Sequence, residues 1–180
     1  MRMRMKRFKT GAWVVAALTA TILAVGTSPA AASGTYSGRA YVYGAGLYVD
    51  DWDNEGVVDR DTNRVSNATC LWQKVLWADG FLPLSGVDGV FGDGTYNATR
   101  AWQRAQTGLA DDGSAGKASW HVAGFSVWLY GSDAAGATMT GQYRGDYAYF
   151  DIKRDTDGNY QFIDGDGAWR KAGYDYRTCS

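Results

Sequence analysis

VDGVFGDGT, residues 87–95, is followed 24 positions later by DDGSAGKAS, residues 111–119, so the chain writes Asp-Gly-x-x-Gly-x-x-Ser/Thr twice. Each copy stands just ahead of an aromatic residue, Tyr96 or Trp120. A repeat of acids, glycines and hydroxyls can ligate a metal, cradle a phosphate or turn the chain. Phosphate loops follow a strand and present a Lys or a nest of amides; here the loop follows a helical stretch and carries Asp93. Turn geometry accounts for the pattern better. Asp-Gly makes a tight turn, at Asp88-Gly89 and Asp112-Gly113, and the next residues, Val90-Phe91 or Ser114-Ala115, point inward. Gly92 and Gly116 then permit a close or left-handed backbone, and Thr95 and Ser119 are placed to cap the helices that follow.

Working outward, residues 67–123 have helical texture. Trp72, Val75 and Leu76 share one helical face, with Leu71 and Trp77 beside them, and Gly80 and Pro83 mark the stop. A second helix is expected from Thr95, with Ala98, Ala101, Trp102 and Ala105 inward and Gly108 at its end; a short third covers Trp120–Ala123. Beyond Phe125 the texture alternates. Residues 125–130, 147–153, 160–163 and 168–171 read as strands, with hairpin turns at Asp157-Gly158 and at 164–167. Residues 33–66 are loop-rich, with short alternating stretches at 39–43 and 47–49.

The first 32 residues read as a secretory signal peptide. MRMRMKRFK is basic, GAWVVAALTATILAVG is a 16-residue apolar run, and Ala30–Ala32 supplies a small-residue cleavage site. A spanning helix wants about 20 apolar residues. Without Arg2, Arg4, Lys6, Arg7 and Lys9, 13 basic residues remain against 19 acidic ones, a net charge of −6. Such a chain lacks the basic surface that neutralises phosphates, so nucleic acid is not an expected partner. Cys70 and Cys179, an even pair in an exported chain, are expected to form a disulfide, which ties residues 125–180 to the middle segment.

No metal set is expected. Asp155, Asp157 and Asn159 match the opening of a calcium loop, but Tyr160 stands where Gly is needed and Asp166 would replace the closing Glu. One His and two distant cysteines are too few for zinc.

Over residues 67–123 the order of Trp72-Gln73, Val75-Leu76, Gly80-Phe81, Val87–Gly92, Thr95, Ala98, Trp102-Gln103, Gly108-Leu109, Asp112-Gly113, Gly116 and Ser119-Trp120 resembles the peptidoglycan-binding domain, a three-helix module of secreted bacterial cell-wall proteins and hydrolases. Trp72 and Trp102 depart from the aliphatic residues or Phe common there, and Lys117 from a frequent Pro. The resemblance implies a small three-helix peptidoglycan-binding bundle over residues 67–123; with the alternating residues 124–180 read as an appended C-terminal antiparallel β-meander packed on it, the chain is expected to be α+β. The resemblance also implies a secreted protein that docks on peptidoglycan or a muropeptide; because the residues offer no catalytic or metal constellation, the chain is expected to be a non-catalytic monomer without cofactor and, once the signal is cleaved, without a membrane partner. Candidate ligand contacts are Asp88, Asp93, Tyr96, Asn97 and Arg100, with Arg100 placed to pair with a peptide carboxylate. Seven Trp outside the signal and 12 Tyr exceed what so small a core needs, which fits a sugar-facing surface. Two alternatives stand beside this reading. One is a small wall hydrolase built on Asp50, Asp51, Asp53 and Glu55, with His121 as the chain's lone histidine. The other is a secreted interaction or inhibitor protein that grips a partner with its meander.

Overall fold

The computed structural model describes residues 36–180; the expected signal peptide lies outside them. The described chain is α+β. It has a 3-10 helix at Tyr48–Asn54, then helix α1 (Asn67–Ala78), a 3-10 turn at Leu84–Gly86, α2 (Asp93–Ala105) and α3 (Lys117–Gly124). Strands β1 (Val127–Tyr130), β2 (Met139–Arg144), β3 (Tyr149–Arg154), β4 (Tyr160–Ile163) and β5 (Trp169–Lys171) follow as an antiparallel meander in the order β1-β2-β3-β4-β5. None of the described helices is long and apolar enough to cross a membrane.

One apolar core joins helices to sheet. Alternation sends Val127, Leu129, Met139, Tyr143, Phe150, Ile152, Tyr160 and Phe162 inward, where they meet buried Trp52, Val75, Leu76 and Trp120. Aromatic edges run through it without a gap. Trp102 abuts Trp72 at 5.1 Å between ring centroids, Trp72 abuts Trp120 at 5.2 Å, Trp120 abuts Trp52 at 5.3 Å, and Trp52 stacks on Tyr143 at 6.1 Å. Offset and edge-on contacts suit the ring quadrupole and add to burial. Trp72 and Trp102, expected on core faces, are fully buried.

The repeated loop is a turn, with a different fastening from the one expected. The left-handed residue is the first glycine of each copy, Gly89 at φ +71° and Gly113 at φ +79°; Gly92 and Gly116 are extended, at φ −93° and −100°. These second glycines are the N-cap residues just ahead of α2 and α3, and neither helix has a side-chain cap. Thr95 and Ser119 therefore lie inside the first turn and are not caps. Each hydroxyl instead accepts from a buried glutamine of the preceding helix: Gln73 Nε2 to Thr95 at 2.9 Å, Gln103 Nε2 to Ser119 at 3.1 Å. The capping expectation failed because a buried amide needing partners outcompetes a cap that water can replace.

The strands differ from the sequence reading in three places, the first at residues 47–49, where the alternating stretch leads into the 3-10 helix Tyr48–Asn54 and forms no strand. β2 was not read from the sequence, because Gly141 interrupts its alternation; a Cβ at Gly141 would collide with the Trp128 carbonyl on β1, which is why glycine occupies it. Tyr147 and Ala148 are not strand: both amides donate to the Ala78 carbonyl at the end of α1, at 2.8 Å. The hairpin turns stand where expected, with Gly158 at φ +87° and Gly167 at φ +79°.

Cys70 and Cys179 form a disulfide across a sequence separation of 109 residues. It closes a terminal clasp. Asn67 N donates to the Tyr176 carbonyl and Ala68 N to the Gly173 carbonyl, each at 2.8 Å, while Ser66 Oγ accepts from Thr69 N at 3.0 Å. The free amides of the first turn of α1 are thus satisfied largely by the chain's own last residues.

Candidate functional site

Each Asp-Gly loop is latched by one glutamine. Gln73 is fully buried; its Nε2 donates to Asp88 Oδ1 (2.9 Å), the Val90 carbonyl (3.1 Å) and Thr95, and its Oε1 accepts from Asp88 N (3.0 Å) and Gly89 N (2.7 Å). Gln103 repeats the pattern with Asp112 Oδ1 (3.0 Å), the Ser114 carbonyl (2.9 Å), Ser119 and Gly113 N (2.9 Å). The loops are thereby held rigid beside α2, where the candidate ligand contacts lie.

The structure spreads those candidates over different tasks. Asp88 spends Oδ1 on Gln73 and on its own turn, Val90 N at 2.8 Å. Arg100 is paired: Nε donates to the Asp111 carbonyl and Nη2 to its carboxylate, at 2.8 and 2.9 Å. Arg100 and Arg104 together hold the Asp111 carboxyl below its ordinary value. Asp93 forms an ion pair with Arg60 at 2.5 Å, and the Arg60 guanidinium lies 3.7 Å over the Tyr96 ring. Asn97 is exposed. Asp93, Tyr96 and Arg60 make one surface cluster; Arg60 was not anticipated, because nothing local links position 60 to position 93.

The acidic loop divides between interior and surface. Asp51 is buried beneath Arg154, which binds both its oxygens at 3.0 and 2.8 Å, and accepts from Tyr160 at 2.5 Å. Burial pushes the Asp51 carboxyl up, while Tyr160 and Arg154 pull it back. Glu55, fully buried, takes Tyr43 N at 2.8 Å and the Tyr174 hydroxyl at 2.5 Å; burial raises its pKa to about 8. Neither carboxylate faces a cleft in which a sugar could sit. Asp53 does face solvent and lies 2.5 Å from His121 Nδ1, in a shallow opening shared with Lys117 and Ala118. An oriented His–Asp pair needs a hydroxyl or thiol beside it to work as a nucleophilic set; none lines that opening.

The outward face of the sheet was the signal the sequence carried only as an excess of aromatics. Trp128 and Tyr130 on β1, Tyr149 on β3 and Trp169 on β5 are exposed there, at 47, 57, 64 and 37 %. Register sets polar groups between them: Trp128 pairs with Gln142 and that with Asp151, while Tyr130 pairs with Thr140 and that with Lys153. Three of the four rings meet cations. Arg144 lies 5.5 Å from the Trp128 ring and donates to the Tyr130 hydroxyl at 2.9 Å; Lys153 lies 4.3 Å from the Trp169 ring. A shallow cavity of about 350 Å³ runs between Tyr130, Gln142, Asp151 and Trp169. Flat rings beside amide, carboxylate and hydroxyl groups can stack on apolar faces of a polar polymer and hydrogen-bond its edges. Set against family models, curated proteins and solved structures, the chain matches none of them.

Proposed function

We propose that this is an exported, non-catalytic cell-wall protein that binds peptidoglycan, with the outward face of the meander as its main contact. The observation that carries the reading is that face: four exposed aromatic rings, three of them contacted by Arg144 or Lys153, with hydrogen-bonding side chains in register between them. Isolated exposed aromatics are ordinary on a protein surface, whereas a braced set on one sheet face favours a ligand with flat apolar sides and many hydroxyls. Further support comes from the disulfide, which suits an oxidising compartment, and from the likeness of residues 67–123 to the peptidoglycan-binding three-helix module. In this reading the rigid Gln-latched loops hold the Asp93, Tyr96 and Asn97 surface as a secondary contact.

Sedimentation with purified insoluble peptidoglycan tests it. The wild-type protein is expected in the pellet, and Trp128→Ala combined with Trp169→Ala is expected to weaken retention by about 10-fold or more, on the basis of roughly 1 kcal/mol or more per lost aromatic contact. Wild-type protein that stays in the supernatant at physiological salt would overturn the reading. Retention that survives the double substitution would move the contact away from the sheet.

A further inference from the structure

Lys74 is the one lysine of the described chain that is buried. It projects from α1 with 8 % exposure, among the rings of Phe150 (5.3 Å), Trp77 (5.7 Å) and Phe162 (6.0 Å). No described residue gives its ammonium a hydrogen bond or an ion pair within 4 Å; the stem is buried while the nitrogen keeps contact with solvent through the recess it faces. The acidic neighbours are engaged elsewhere. Asp164 accepts from Arg170 Nε (3.2 Å), Gly165 N (2.8 Å) and Ser180 N (3.1 Å), and Asp151 accepts from Gln142 at 3.2 Å.

What the ammonium faces is a cavity of about 330 Å³. Its origin lies in the strand register. β3 pairs with β4 only from Ile152 to Arg154, so Tyr149, Phe150 and Asp151 run on without a partner on that side. The gap is walled by Trp77, Leu84 and Phe150 and rimmed by Asp151 and Asp164. An apolar-walled recess with a few convergent polar groups is the usual form of a small-ligand site. The charge pattern selects the ligand. The recessed cation favours an anion that can reach inside, the walls favour a small apolar group, and the acidic rim accepts N–H donors.

We propose that the cavity between α1 and the splayed end of β3 and β4 is a binding site for the carboxyl end of a short peptide. The terminal carboxylate sits on Lys74 Nζ, the last side chain, small and apolar, lies against Trp77, Leu84 and Phe150, and the peptide N–H groups face Asp151 and Asp164. This site adjoins the aromatic face at Tyr149 and Asp151, but its carboxylate contact, Lys74, is no part of that face, and the proposal does not rest on what that face binds. Burial holds the Lys74 amine below its ordinary pKa, with Asp164 drawing it back up, so an arriving carboxylate would add the favourable partner that the amine lacks.

The test uses the exported, disulfide-bonded chain and two probes, N-acetyl-Ala-Ala with a free carboxylate and the same dipeptide as its amide. Titration followed by NMR is expected to show saturable binding of the acid, with shifts centred on residues 74, 77 and 150. The amide is expected to bind roughly 10- to 100-fold more weakly, the loss that goes with one charged hydrogen-bonded contact. Lys74→Met, which keeps the stem and removes the charge, is expected to abolish that preference while its melting curve reports folding. Absence of saturable binding by the acid, equal binding of acid and amide to the wild-type chain, or an acid preference that persists in Lys74→Met would each overturn the proposal. The comparison of acid with amide on the wild-type chain decides the matter even if the variant does not fold.

Discussion

At the scale of single residues, the two latching glutamines are the side chains on which the helical part of the fold depends most. Gln73 makes five hydrogen bonds and Gln103 four, and both side chains are buried. Truncation leaves buried donors and acceptors unsatisfied on the loop, which costs more than the bonds themselves contributed. Gln73→Ala and Gln103→Ala are each expected to lower stability by about 2 to 4 kcal/mol in urea unfolding; a loss under about 1 kcal/mol at both sites would mean that water fills the latch. The loop itself tolerates little at Gly89, where φ is +71° and a Cβ would stand 2.7 Å from Cys179 Sγ and 2.8 Å from Arg177 Cδ. The Asp-Gly turns, the buried Phe91 and the inward Trp72 and Trp102 were legible from spacing and periodicity. The latch was not: a glutamine at a helical position reads as a solvated residue until the loop it holds is folded against it.

At the scale of elements, the segment before α1 is held by two buried carboxylates. The 3-10 helix Tyr48–Asn54 is tied to β3 through Asp51 and Arg154, and Glu55 is tied to the C-terminal segment through Tyr174, whose hydroxyl also accepts from Gly56 N at 3.0 Å. Glu55 has a folded pKa of about 8 against an ordinary 4.5. A carboxyl with a raised folded pKa adds stability that is complete below the ordinary value and is lost as pH rises through the folded one. Glu55 therefore destabilises the chain progressively from about pH 5 to about pH 8, by a few kcal/mol in all. Urea midpoints measured across that range are expected to fall with pH in the wild type and to fall less in Glu55→Gln, which stays neutral. Parallel pH profiles for the two proteins would show that Glu55 is ionised throughout. In sequence, Asp51 and Glu55 enter only as acids of the hydrolase alternative. Their partners, Arg154 and Tyr174, lie more than 100 residues away, and no local pattern announces a partner at that distance.

At the scale of the whole molecule, the meander and the helical region are one folding unit because the chain's end returns to the start of α1. Asn67 alone binds Thr178 and Cys179 backbone amides and the Lys171 carbonyl, beside the Cys70–Cys179 disulfide. Closing a loop of this length removes about 4 to 5 kcal/mol of unfolded-chain entropy in the simple model. Reduction, or paired replacement of both cysteines by serine, is expected to lower the melting temperature clearly and to expose the amides of Asn67 and Ala68 to hydrogen exchange. Unchanged exchange at those amides after reduction would show that the tail holds without its covalent tie. By itself, the sequence determined the pieces that rest on neighbours in the chain: three helices from their period, hairpins from Asp-Gly turns, four of five strands from alternation, and a paired use of two cysteines. The tertiary structure alone decided which residues are partners. It put Gln73 on Thr95, Arg154 on Asp51 and Arg60 on Asp93, made β2 possible by bringing Gly141 against β1, and left one sheet face of aromatics open to solvent and the Lys74 ammonium without a hydrogen-bond partner. The physical reason is that turns and periodicity are set by local backbone energetics, whereas burial, desolvation and the choice of hydrogen-bond partner depend on groups that meet only when the chain is closed.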